Sequence, residues 1–562
     1  MEGGGATAAK GGEQEGAVAV EMTGGQALAA QLVREGVTTL FGLPGVQLDH
    51  AFDGLYEQRE RIRFIGPRHE QGTTYMADGY ARTRGEIGVA MVVPGPGVLN
   101  AGSGLATAYA CSSPVLLIAG QIGTQYIGKG LGQLHEIADQ STVLSTLTKW
   151  TAMARAPQEI PELVQAAFRQ LRSGRPRPVA LEVPPDILAA RADIRLLDPV
   201  PVTGLRTAPD PAVLREAAAL LRAAERPAVI AGAGVLSAGG SDELARLAER
   251  LQAPVVVTGN GRGAMSDRHR LCLSSLGGPK VLPTADVVLA VGTRFVGGEA
   301  NAAEGAQVIL LNADPHDLGG HRRPAVAVEA DAKLGLAALT AELDGLPRRA
   351  APWVDLDAVR ARCAEEIEGV QPQARFVRAL RSAIPEDGIL VSELTQVGYL
   401  AGIAYPTYSP RTFVRPGYQG TLGYGFPTGL GVKVGSPDRA VVSITGDGGF
   451  GWGMSELATA KRYNIGLVTV VFDDKAFGNV RRTQKYDFGG HMLGTDLVNP
   501  NYVKLAEAFG IRGMSADSPE ALEGALKEAL AGGEPCLISV PVGEMDSPWP
   551  LVMSRAPVTA RR

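Results

Sequence analysis

The chain has 562 residues, enough for about three domains of ordinary size. Its 54 Lys and Arg against 59 Asp and Glu leave a net charge of −5, which argues against a basic nucleic-acid-binding surface. No apolar run reaches the roughly 18 residues that a membrane-spanning helix needs, so no membrane-spanning helix is expected.

Residues 1–17 are mostly Gly, Ala, Glu and Lys and lack the apolar stretch of a signal peptide. They read as a disordered tail. Cys111, Cys272, Cys363 and Cys536 are scattered, with no CxxC. They read as buried free thiols in a reducing cytoplasm. Pro-rich stretches near 197–211 and 345–352 divide the rest into three segments, 18–190, 205–345 and 370–545. Each alternates strand-like and helix-like runs. The expected fold is α/β, with three doubly wound parallel-sheet domains.

In the first segment, 22–35 reads as an amphipathic helix and 38–42 as a strand. That strand runs into the turn Pro44-Gly45-Val46-Gln47. Arg68-His69-Glu70-Gln71-Gly72 then opens a helix of small residues. A lone Glu at a helix start commonly serves the helix dipole, with catalysis the alternative. The strand 89–93 ends in Pro94-Gly95-Pro96-Gly97, a helix spans 99–109, and the strand 115–119 leads to Gln121. Gln133, His135 and Lys149 follow, with His135 expected on an exposed helix.

In the second segment the strand 227–231 ends in Gly232-Ala233-Gly234, a single GxG and a weak nucleotide signal. Strands are expected at 254–258, 287–291 and 307–311. In the third segment the strand 389–392 precedes Glu393, Thr395 and Gln396. A Gly-rich turn follows at Gly420-Thr421-Leu422-Gly423.

The strand 440–444 breaks at Gly446-Asp447-Gly448-Gly449, a helix is expected at 454–463, and the strand 467–472 ends on Asp473 and Asp474. Two carboxylates at neighbouring strand ends, with a carbonyl near Ala476, suit a hard divalent cation. Gly448, Gly449 and Gly478 would let backbone N–H groups approach phosphate. An ordinary crossover unit with capping aspartates fits the same spacing.

Asp474 lies 27 residues beyond Asp447, and this GDG pattern resembles the thiamine-diphosphate (ThDP) motif of the acetolactate synthase-like enzymes. So do RHEQGTTYMADGYART, PGPGVLNAGSGLATAY, the 420–425 turn and the 499–506 segment. The resemblance spans residues 20–545. It implies that the first and third segments are the pyrimidine and diphosphate domains. Glu70 would then contact the pyrimidine N1′ and favour the imino tautomer that deprotonates the thiazolium.

By the same resemblance Gln121 lines the active site, and Gln133 and Lys149 match further positions there. Thr395, Gln396 and Asn479 lie by the diphosphate. The Gly420 carbonyl and Leu422 N–H bond the pyrimidine, and the Leu422 side chain wedges between the rings. Asp447, Asp474 and the Ala476 carbonyl hold Mg²⁺. The implied enzyme decarboxylates a 2-oxo acid and ligates the product to a second carbonyl. The alternative is a decarboxylase or C–C lyase or hydrolase that forms no acetolactate. The implied assembly is a homodimer or homotetramer with sites between subunits.

Some positions depart from the family. Asp474 stands where Asn is usual, and Val397 where His is usual. Val46, Gln47 and Thr483 replace a Pro-Gly-Gly-Ala turn and a Trp, which leaves the substrate pocket open to other 2-oxo acids. Arg294-Phe295-Val296-Gly297-Gly298 departs from the family's FAD string. The middle segment is therefore expected to be structural, with FAD the less favoured alternative. Arg481 and Arg482 could meet an acidic substrate or simply face solvent.

Overall fold

The computed structural model describes residues 19–201, 205–296, 298–319, 323–347 and 349–552. The expected tail at 1–17 and Gly297 lie outside the described residues. Three six-stranded sheets form, each wholly parallel. In space the first runs Arg63–Ile65, Thr39–Gly42, Gly88–Val92, Val115–Gly120, Val179–Val183, Trp150–Met153. The second runs Cys272–Leu273, Val255–Val257, Pro227–Ala231, Val287–Val291, Gln307–Asn312, Val326–Glu329. The third runs Phe413–Val414, Ile389–Ser392, Val441–Gly446, Val468–Asp473, Cys536–Pro541, Arg512–Ser515.

In the third sheet the chain order reverses between Ile389–Ser392 and Val441–Gly446. Such a reversal opens a crevice beyond the carboxyl ends of the two strands, where ligands of open α/β sheets bind. Glu393, Thr395 and Gln396 leave one strand there, and Asp447 to Gly449 leave the other. Alternate residues of this sheet face two different cores. Ile389, Val391 and Val441 belong to a core that extends into the first segment, whereas Leu390, Val442 and Ile444 belong to one that extends into the middle segment.

Two local expectations give way. The first helix spans Gly24–Arg34, because Val20–Thr23 is a strand paired antiparallel with Arg191–Ile194. The helix expected from 454 begins at Asp447, directly after Gly446. It runs to Gly453, passes a 3₁₀ turn at Met454–Glu456 and resumes at Leu457–Arg462. Glycines are poor helix formers, but here close packing overrides propensity. A Cβ on Gly449 would sit 2.3 Å from Glu393 Oε1.

Candidate active site

Glu393 is the hub of the crevice. It is 3 % exposed, and its Oε1 accepts the N–H groups of Gly423 at 3.0 Å and Tyr424 at 3.3 Å. Its Oε2 accepts the Thr445 hydroxyl. One carboxyl thus ties the Gly420–Tyr424 turn to the strand that delivers Asp447. Burial pushes Glu393 up to about 7, against those hydrogen bonds. The turn uses left-handed backbone at Gly420 (φ 57°) and Gly423 (φ 78°), and it leaves Leu422 39 % exposed.

Asp447 and Asp474 meet at the ends of adjacent strands, within hydrogen-bonding reach of each other. Burial, then the charge of Asp474, pushes Asp447 up to about 7, with the Asn499 amide opposing. Asp474 is raised too, by burial and by Asp473. The Asn499 amide bridges Asp447 Oδ2 at 2.6 Å and Asp473 Oδ1 at 2.8 Å.

The 474–478 loop is pinned by Phe477 N–H to the Thr495 carbonyl and Leu497 N–H to the Lys475 carbonyl, both at 2.8 Å. That pairing does not use the Ala476 carbonyl. Among the described residues no group of three His, Cys, Asp or Glu could hold a metal. The two crowded carboxylates of Asp447 and Asp474 instead make a partial oxygen set. It fits a hard cation that also takes ligand oxygens from a phosphate.

The backbone around this acidic pair runs close. Thr395 starts the helix Gln396–Ala404. Gln396 Oε1 accepts from Arg482 at 3.1 Å. A Cβ on Gly478 would lie 2.2 Å from Asp474 Oδ2, and one on Gly448 would lie 2.8 Å from the Phe477 ring. The Asn479 side chain accepts from the Trp549 indole, which ties the 549–552 helix to the helix Gly478–Asp487. Arg481 pairs with Asp496 at 3.3 Å.

Glu70 opens the helix Glu70–Arg84. Asn100, on the helix Pro96–Cys111, donates to Glu70 Oε2 at 3.0 Å. His69 caps the helix, its Nδ1 accepting the Gln71 N–H at 3.1 Å. The same helix abuts the Gly420 turn, since Tyr75 Oη lies 3.2 Å from Thr421 Oγ1. Glu456 accepts the N–H groups of Arg68 and His69. Asn100, Glu393, Glu456 and Asn499 were not picked out as functional from the sequence. For Asn100 and Asn499 a signal existed, since both lie inside family-like strings.

The remaining positions scatter. Val46 is 61 % exposed beside buried Gln47, whose Nε2 donates to the Leu134 carbonyl at 3.0 Å. His135 sits in a turn with φ 70°, not on a helix, because Gly128, Gly130 and Gly132 also take left-handed backbone. Its Nδ1 is 3.0 Å from Gln47 Oε1. The Gln133 N–H donates to Glu136. The Gln121 amide is taken up by Glu182 at 2.8 Å and by the Ile122 N–H. Lys149 anchors the Ser173 and Arg175 carbonyls, and burial lowers it to about 8. Thr483 lies on the helix Gly478–Asp487.

A separate cavity of about 730 Å³ opens where the middle sheet meets the other two segments. Gly234, Thr258, Gly292 and Arg294 line it. Arg294 stacks on Tyr418 at 4.4 Å, and Arg411 donates to the Leu236 carbonyl at 2.8 Å, just beyond the GxG turn.

Comparison with known proteins accounts for this arrangement. The N-terminal TPP binding domain of thiamine pyrophosphate enzymes matches residues 22–143, their central domain 214–339, and their C-terminal TPP binding domain 395–540. The chain belongs to the thiamine pyrophosphate enzymes, and within them to the acetolactate synthase-like group of carboligases and decarboxylases.

It is 35 % identical to a probable acetolactate synthase large subunit of Methanocaldococcus jannaschii, over 92 % of each chain. It is also 35 % identical to a probable 2-ketoarginine decarboxylase of Pseudomonas aeruginosa, over 87 % of this chain and 88 % of the other. Identity to acetolactate synthase isozyme 3 large subunit of Escherichia coli is 31 %, over 91 % and 92 %.

Proposed function

We propose that the protein decarboxylates a 2-oxo acid with ThDP and Mg²⁺ and joins the retained fragment to a second carbonyl. The observation that carries this reading is the Asp447–Asp474 pair at the reversal point of the third sheet, beside Thr395 and Gln396. Asp447, Asp474 and the Ala476 carbonyl hold the cation. Thr395, Gln396, Asn479 and the backbone at Gly448, Gly449 and Gly478 hold the diphosphate. The Gly420–Leu422 turn supports the pyrimidine.

Glu70 holds and moves a proton at the pyrimidine nitrogen, and Asn100 keeps its carboxyl in place. ThDP, held by these residues, would supply a thiazolium able to take up the electron pair of a decarboxylation. Gln121, Gln133, Val46, Gln47 and Thr483 are assigned to the substrate side of the pocket. Residues 481–498, the later part of the helix Gly478–Asp487 and the loop after it, cover the site during turnover.

The working unit in this reading is a homodimer or homotetramer. Leu99, Leu134 and Trp452 are 54 %, 62 % and 62 % exposed in the single chain, and a partner subunit would cover them. Light scattering that returns a monomer at working concentration would remove this part. The four cysteines are buried and none is in a disulfide, which suits a cytoplasmic location. No helix among the described residues is long and apolar enough to cross a membrane.

The middle segment acts structurally rather than as a flavin carrier. Arg411 reaches the approach to the GxG turn, and the family's flavin string is absent. A second reading, decarboxylation without ligation, draws on Val46 and Thr483 and on the decarboxylase relative.

The deciding experiment is product analysis by NMR with ThDP, Mg²⁺ and pyruvate. Acetolactate supports the carboligase reading, and acetaldehyde alone supports the decarboxylase. Unchanged pyruvate directs the search to other 2-oxo acids and to diketones.

A further inference from the structure

The helical stretch that begins at Asp447 ends near Tyr463, and its far end touches a different part of the chain. Glu456 is 1 % exposed. Its Oε1 accepts the N–H groups of Arg68 at 3.0 Å and His69 at 3.1 Å. Its Oε2 accepts Arg68 N–H at 3.0 Å and the Thr459 hydroxyl at 2.6 Å. Tyr463 Oη accepts the Gly66 N–H at 2.9 Å. The loop Gly66–His69, which delivers Glu70, therefore hangs from two side chains of the third segment.

Gly72, in the first turn of the Glu70 helix, completes the fit. A Cβ there would lie 3.0 Å from Glu456 Oε1. On the other side of Glu70 the Gln71 N–H is fixed by His69 Nδ1 and the Gly72 N–H by the His69 carbonyl. Two successive backbone N–H groups just before Glu70, those of Arg68 and His69, thus converge on one carboxylate.

We propose that Glu456 is a positioning residue for Glu70, fixing the loop before it and so setting where the Glu70 carboxyl meets the cofactor's pyrimidine. The inference rests on the ThDP reading above. Charge-assisted bonds to backbone N–H groups are about twice as strong as neutral ones. Their loss frees the loop, and a displacement of about 1 Å at a reacting group costs roughly 100-fold.

The test uses the full chain loaded with ThDP and Mg²⁺. It reads hydrogen–deuterium exchange at the thiazolium C2 by quenched NMR, the cofactor Kd by fluorescence titration, and thermal stability. Glu70→Gln is the control. Glu456→Gln is expected to slow exchange at least 10-fold while Kd moves less than about 3-fold. The double variant should exchange no more slowly than Glu70→Gln alone, because Glu456 acts through Glu70.

If Glu70→Gln slows exchange but Glu456→Gln only lowers stability, Glu456 is fold glue and the inference is overturned while the cofactor reading stands. A further slowing in the double variant also overturns it. If Glu70→Gln leaves exchange unchanged, the reading of Glu70 itself fails and takes the inference with it. Should Glu456→Gln not fold, Thr459→Val removes the 2.6 Å hydroxyl that orients Glu456, and the same readouts decide.

Discussion

The side-chain amide of Asn100 donates to Oε2 of Glu70 at 3.0 Å, joining the N-terminal ends of two neighbouring helices. The bond leaves the other carboxyl oxygen of Glu70 for a ligand and fixes the plane in which it points. Asn100→Ala is expected to lower kcat by about 10- to 100-fold with little change in melting temperature. Asn100→Asp should do more harm, because it sets a second carboxylate against Glu70. Steady-state kinetics beside thermal melts checks both.

Asn499 links Asp447 and Asp473 by donating to both from one amide. Its removal leaves the acidic pair without that orientation. Asn499→Ala should raise the Mg²⁺ concentration needed for half-maximal activity by roughly 10- to 100-fold. Saturating Mg²⁺ should restore much of the rate. A variant with wild-type Mg²⁺ dependence would mean that Asn499 serves the loop and not the ion.

Glu393 gives the ligand-free protein a pH dependence of definite sign. Its usual value is 4.5, and burial raises it to about 7. Between those values the folded protein keeps a proton that the unfolded chain has lost. The contribution is therefore full below about 4.5 and fades as pH rises through about 7, by on the order of 3 kcal/mol at most. Glu393→Gln should flatten that part of the slope in urea unfolding of the ligand-free protein. An unchanged slope would assign it to Asp447 and its neighbours.

The purified protein should show no absorbance band beyond the protein's own, and acid release should yield no flavin. A yellow preparation would mean that the 730 Å³ cavity beside Gly234 and Arg294 holds one.

Much of the fold was legible because fully buried parallel strands read as apolar runs closed by Gly, Pro or Asp. Val287–Val291 and Pro227–Ala231 fall where such runs lie. The helix at Asp447 was hidden because Gly448, Gly449 and Gly451 carry no helical signal and the reason for them lies in another element. Glu393 and Glu456 looked like ordinary polar residues near strand or helix ends. Their partners are 30 and 388 residues away, and no local pattern encodes such a contact. Asn100 sat inside a recognisable string, but only geometry aims it at Glu70.

The two-faced packing of the third sheet has a consequence for how the protein is made. Leu537 completes a core with the first segment, while Cys536, Ile538 and Val540 complete one with the middle segment. Neither core closes until the ribosome has passed residue 540. The faces of the first and middle segments that belong to these two cores therefore stay partly uncovered during synthesis, whereas a separate core of the first segment, Ala27 to Ile194, needs nothing downstream. Chaperone dependence should concentrate in the nascent chain, and truncations shortly before Cys536 should aggregate far more than their small loss of length suggests.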